Sequence, residues 1–228
     1  MQLRLWGAIA TLLALFCVGE AVGEDAHETK HVLDVIPGDA AVVVAIRDAA
    51  DLSRRGDELI DKTKVQSPFR LTELFRWLTD YLGISKGLDS QGGYALMLLA
   101  SEPRFESLVL AVPIGDLDEL AANFRITVEQ LTESETFDLA GPPPGVKPRR
   151  NSMVRYLAVR NKHLLLAIDR KCLESAVREP SLRSVLKEGD QRSFEKEDAF
   201  VFANLHRAPG ARASLANSAE RLADASTD

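Results

Sequence analysis

Two pairs of short apolar runs limit what this chain can become. Tyr94 to Ala100 (YALMLLA) and Ser107 to Pro113 (SLVLAVP) are separated by a turn containing Glu102-Pro103-Arg104. Val154 to Val159 and Leu164 to Ile168 flank Asn161-Lys162, a tight-turn pair. Runs joined this closely pair as antiparallel hairpins, because a parallel pairing needs a crossover of a dozen or more residues. Ala40 to Ile46 (AAVVVAI) reads as a further strand. It is apolar on both faces, so its expected place is inside the sheet.

Helical signals lie between these strands. Asp48 to Lys62 can be capped by Asp48 or Asp51 and carries Leu52, Leu59 and Ile60 as its apolar stripe. Ser67-Pro68 opens a second helix, in which Phe69, Leu71, Leu74, Phe75, Leu78 and Leu82 recur at helical spacing and Gly83 stands at the C′ position. Asp116, with Glu119 three residues on, has the form of a capping box for a helix to about Phe124. Asp169 caps a helix over Arg170 to Arg178, Ser181 to Lys187 is a further helical turn, Val201 to Leu205 is a strand, and Arg212 to Asp224 is a closing helix. Antiparallel hairpins with helices between them predict an α+β fold: a mainly antiparallel sheet with helices packed on one face.

Composition excludes several other classes. Among 228 residues 46% are hydrophobic and 27% charged, enough apolar material for a core and against a disordered chain. The net charge of −6 argues against a sequence-independent nucleic-acid binder. The N-terminus has the order of a secretory signal: Arg4, an uncharged apolar stretch from Leu5 to Val18, then small residues at Ala21 and Gly23. A spanning helix needs about 20 apolar residues, and this stretch is shorter. The expected division is a signal peptide over 1–23, a polar leader over 24–34, an α+β domain over 35–197 and a strand–helix piece over 198–228. Cleavage after Gly23 removes Cys17 and leaves Cys172 as the only cysteine, so the mature domain must be held by its core and not by a disulfide.

The last piece echoes the first strand–helix pair. Residues 39–62 (DAAVVVAIRDAADLSRRGDELIDK) and 198–224 both start Asp-Ala, continue through an apolar run and a basic residue, and end in an amphipathic stretch. Either the trailing piece completes the sheet of the first unit, or it begins a second repeat that this chain does not finish.

Four segments also carry a resemblance: Ile36-Pro37-Gly38-Asp39-Ala40, Gly92-Gly93-Tyr94-Ala95, Val112-Pro113-Ile114-Gly115-Asp116, and the hairpin from Tyr156 to Asp169. In this order they resemble the DUF3352-like group of uncharacterised secreted bacterial proteins, over most of residues 32–207. The resemblance implies an extracytoplasmic α+β repeat domain and brings no catalytic motif with it.

One motif has the form of chemistry. His27-Glu28-Thr29-Lys30-His31 matches His-Glu-x-x-His, the spacing that sets two zinc ligands and a general base on one helix face. Several facts weigh against zinc here. The motif lies just past the expected cleavage site, and Pro37 leaves little room for a helix after it. Glu58 is the first downstream carboxylate at a plausible distance for a third ligand, with no supporting context. His163, beside the Asn161-Lys162 turn, is expected at the surface, and His206 ends the last strand. Cys172 has Arg170 and Lys171 as neighbours but no base in a recognisable arrangement, so it reads as a small apolar residue on a helix face. Asp116 and Asp118 suit helix capping better than a calcium loop, and Arg149-Arg150 is too short a basic run for docking.

The expectation is therefore an exported, non-enzymatic binding or structural domain of the bacterial cell envelope, secreted or periplasmic, with no cofactor and no resident metal. Its partner is an envelope protein or ligand of unspecified chemistry. The alternatives are a zinc-dependent hydrolase built on His27 and His31, and an envelope protein anchored by an uncleaved N-terminus. Oligomeric state stays open, because the apolar faces can close within one chain or between two.

Overall fold

Both hairpins form, and the sheet grows from them. The computed structural model describes residues 32–63, 70–99, 105–133, 135–139, 154–197, 199–204 and 206–207. The expected signal peptide, His27 and His31, Pro68, the proline loop at 141–145, Arg149-Arg150 and the closing helix at 212–224 lie outside the described residues. The elements are β1 (Val42–Ile46), α1 (Ala49–Thr63), α2 (Leu71–Leu82), β2 (Tyr94–Leu98), β3 (Leu108–Pro113), α3 (Leu117–Phe124), α4 (Val128–Glu133), β4 (Phe137–Asp138), β5 (Tyr156–Arg160), β6 (His163–Ala167), α5 (Arg170–Arg178), α6 (Leu182–Val185), α7 (Glu188–Lys196) and β7 (Ala199–Ala203).

The strands form one seven-stranded sheet in the order β4-β5-β6-β3-β2-β1-β7. Every neighbouring pair is antiparallel. The β5–β6 turn uses Asn161 and Lys162 with φ of 45° and 61°, the left-handed pair that matches the twist of a two-residue hairpin. Helix boundaries follow the expected caps. The Asp116 carboxylate accepts from the Glu119 N–H at 2.9 Å, and the Asp169 carboxylate accepts from the Cys172 N–H at 3.0 Å. Gly83 takes φ 71° at the end of α2, where its N–H and that of Ile84 donate to the Asp80 and Thr79 carbonyls.

The α+β class with its antiparallel sheet is what the structure has. The expected one-sided jacket is not: helices cover both faces. Alternate strand residues separate into two cores. Val43, Ala45, Ala95, Met97, Val109, Ala111, Ala158 and Leu165 face the N-terminal turn (Val32–Asp34), α5 and α6. Ile46, Tyr94, Val112, Leu157, Leu164 and Leu166 face α3, α4 and the ends of α1 and α2. The physical reason lies in runs such as SLVLAVP and YALMLLA, which have no polar alternation and so need cover on both sides. Each fully buried Val or Leu here contributes about 1.5–3 kcal/mol relative to an exposed one.

Two segments differ from expectation. Val32 and Leu33, expected in the polar leader, are 7% and 2% exposed and pack into the core. Strand β7 sits at Ala199–Ala203, two residues before the expected Val201–Leu205, with Phe200 and Phe202 packed against the core. Two helices without a sequence signal, α4 and α7, also appear. The strand of the 198–228 piece joins the first unit's own sheet: β7 pairs with β1, Val42 opposite Ala203 and Ile46 opposite Ala199. The Phe194 and Phe200 rings, with centroids 4.5 Å apart, tie α7 to it.

Candidate functional site

Three of the four segments behind the resemblance meet at one end of the sheet. The Gly92-Gly93 step enters β2, Pro113 leaves β3 and the Asn161-Lys162 turn enters β6. The Ile114 N–H donates to the Lys162 carbonyl at 2.9 Å, and the Asp89 N–H donates to the Pro113 carbonyl at 3.1 Å. A Cβ on Gly92 would stand 2.3 Å from the Cβ of Pro113, so only glycine allows this approach. The fourth segment makes a similar seam elsewhere. The Gly38 N–H donates to the Pro180 carbonyl at 2.8 Å, and the Leu182 N–H donates to the Ile36 carbonyl at 2.6 Å. These motifs dock backbone against backbone.

His163 is the chemical residue at the convergence, and here the sequence expectation of a surface position is overturned. The side chain is fully buried. Its Nδ1 lies 3.0 Å from the Asn161 carbonyl and its Nε2 lies 3.1 Å from the Gly93 carbonyl. The reason is its place as the first residue of β6, opposite Pro113 and Arg160, in a strand buried at every position because both faces of the sheet are covered. The ring links the β5–β6 turn to the Gly-Gly step across the sheet end. Nearby Tyr94 is also buried, which pushes its hydroxyl up to about 12, with Asp89 adding to the shift.

The other candidates are placed as follows. Cys172 lies partly buried on α5; burial, then the Asp169 carboxylate, pushes its thiol up to about 11, against the direction that Arg170 and Lys171 suggest from the sequence. Asp116 serves as the cap of α3, and Asp118 is exposed beside it. His206 is exposed, its backbone N–H donating to the Asn204 side chain at 3.2 Å. Glu58 is engaged by Arg54 at 2.7 Å on the surface of α1. Arg160 turns its half-buried guanidinium onto the Ala176 and Glu179 carbonyls and closes the C-terminus of α5. Among the described residues, no group of three or more His, Cys, Asp or Glu side chains could hold a metal ion, and no helix is long and apolar enough to cross a membrane.

The feature that sequence reasoning missed is an edge. The two ends of the sheet are built differently. Strand β4 is two residues long and carries Asp138, which faces Arg155 at 3.6 Å. Short length and charge are how sheets blunt an edge. Strand β7 is five residues long (AFVFA) with no charge, and Val201 at its centre is 47% exposed. Among the described residues, no strand pairs with its outer side. The available signal was the composition: β7 is apolar at every position, as the interior strands β1 and β3 are, yet it lies last in the order. Comparison with family models, with curated proteins and with solved structures finds no match to this chain.

Proposed function

We propose that the chain is an exported, non-enzymatic binding or structural domain of the bacterial cell envelope, working through the outer edge of β7. The observation that carries this reading is the contrast between the blunted β4 edge and the long, uncharged, half-exposed β7 edge. An edge strand of this kind is a template for another backbone, and strand addition is a recurring mode of recognition. Two polar side chains support the same reading, because His163 at the converged sheet end lies against backbone carbonyls and burial pushes the Cys172 thiol on α5 above its usual range. The export half rests on the sequence of residues 1–23 and on the resemblance to secreted bacterial proteins.

A photo-cross-linking amino acid at position 201, with position 190 on α7 as an exposed control, tests this in the producing cell. The expected result is an adduct at 201 and none at 190, on protein whose intact mass corresponds to Glu24–Asp228 in the extracytoplasmic fraction. Equal labelling at both positions, or a cytoplasmic protein retaining Met1, overturns the reading.

A further inference from the structure

We infer that the partner of the β7 edge is the β7 edge of a second copy of this chain, paired antiparallel across a two-fold axis through Val201. This inference rests on the binding reading above and names its partner. Three observations lead to it.

The first is the direction of the backbone groups. The Asn204 N–H donates to the Ala41 carbonyl at 2.9 Å. With the register Val42 opposite Ala203, that bond belongs to the row in which Phe202 faces Val43 and Phe200 faces Ala45. Hydrogen bonding alternates along an antiparallel strand, so Ala199, Val201 and Ala203 turn their N–H and C=O groups outward. A two-fold axis at Val201 sets Val201 against Val201 and Ala199 against Ala203, each an outward-facing position. The register therefore satisfies the outer row without shifting β7 on β1.

The second is the side-chain order. Ala-Phe-Val-Phe-Ala reads the same in both directions. Antiparallel self-pairing thus sets Phe opposite Phe on the face shared with the N-terminal turn and α7, and Val opposite Val on the other. Cross-strand aromatic and β-branched pairs are the stabilising unit of a sheet. The exposed Val201 side chain becomes the centre of the contact, and both sheets continue as one.

The third is charge. The segment before the strand, Glu195-Lys196-Glu197-Asp198, is net acidic, and His206-Arg207 after it is basic. Glu197, His206 and Arg207 are all exposed. Antiparallel pairing brings the acidic flank of each copy toward the basic flank of the other, where Arg207, in a turn closed by its own N–H on the Asn204 carbonyl at 3.0 Å, also reaches Asp39 at 3.4 Å. A parallel pairing would set like charges together. Identical patches meeting about a two-fold axis give a closed dimer and not a fibre.

Sedimentation of the full chain over a range of concentrations is the test. The expected result is a reversible monomer–dimer equilibrium. Val201→Lys places two ammonium groups at the axis and weakens the association roughly 10–100-fold. Val201→Pro removes only an outward N–H, which an edge strand tolerates, and gives the same loss. Unchanged far-ultraviolet circular dichroism confirms that both variants fold. Charge reversal tests the antiparallel direction: Glu197→Arg and Arg207→Glu are each expected to weaken self-association and to form a heterodimer when mixed. A wild-type chain that stays monomeric, or a dimer indifferent to Val201→Lys, overturns the inference. A monomer that cross-links through position 201 to a different envelope protein also overturns it while leaving the binding reading in place.

Discussion

Replacing His163 with Phe separates hydrogen bonding from packing at the sheet end. The native ring is fully buried, with its nitrogens 3.0 Å and 3.1 Å from the Asn161 and Gly93 carbonyls. Phe keeps an aromatic ring of similar size in a site that excludes water but donates nothing. A buried carbonyl stranded in this way costs about 1–3 kcal/mol. Domains of this size have roughly 5–15 kcal/mol in total, so the loss is a large fraction of stability. His163→Ala adds a cavity under β3 and β6, bringing the expected cost to about 2–5 kcal/mol. Urea unfolding followed by circular dichroism reads both, and the Phe variant should lower the midpoint by about 0.5–1.5 M at an m-value near 2 kcal/mol/M. Hydrogen exchange adds a local readout: Ile114 and Asp89 amides, which bond across this seam, should lose protection before those of α5. A Phe variant within about 0.5 kcal/mol of wild type would show that the carbonyls need no donor. The account of His163 as the clasp of the sheet end would then be wrong.

Three other perturbations follow from the same geometry. Gly92→Ala should cost about 1–3 kcal/mol by forcing a methyl into Pro113, whereas Gly189→Ala, with nothing within 4 Å on α7, should stabilise by about 0.5–1 kcal/mol; thermal melts of the pair decide it. The Cys172 thiol, pushed up to about 11, should alkylate at pH 8 about 100-fold more slowly than an ordinary thiol, as read by mass mapping of that residue. Tyr94, pushed up to about 12, should remain protonated at the pH near 10 where a free tyrosine ionises. Its folded value is raised, so the stability it contributes is complete below pH 10 and disappears between 10 and 12. Absorbance titration with and without Tyr94→Phe checks that window.

Local features of this fold were readable from residue order, and their assembly was not. Asn161-Lys162 specifies its turn, Asp116 and Asp169 their caps and Gly83 its helix end, because each acts on backbone groups within a few residues. The placement of β6 beside β3, and of β7 beside β1, depends on contacts between distant segments, which no local pattern encodes. The two-sided jacket was partly encoded: AAVVVAI has no polar face, and the same logic applied to SLVLAVP would have demanded cover on both sides. His163 was misplaced because proximity to a turn outweighed its place in a strand buried on both faces. Helix α7 has Phe194 as its only large apolar residue, so it offers no periodicity. The candidate edge was hidden for a different reason. An apolar strand at the rim and one in the middle have the same letters, and only the sheet order tells them apart.

The pairing of β1 with β7 also has a consequence in time. The first strand of the sheet is made early, and its outer neighbour is the last strand described. At about 5–20 residues per second, the roughly 150 residues between them take about 8–30 s to synthesise. Throughout that interval Val42–Ile46 presents a bare row of amides and carbonyls with nothing of its own chain to meet. A nascent chain of this kind needs either a holding chaperone or a delay in collapse until its far end arrives. Mutations that slow the closing of this last rung should therefore show first as lower yield in the cell, at temperatures where the finished protein is still stable.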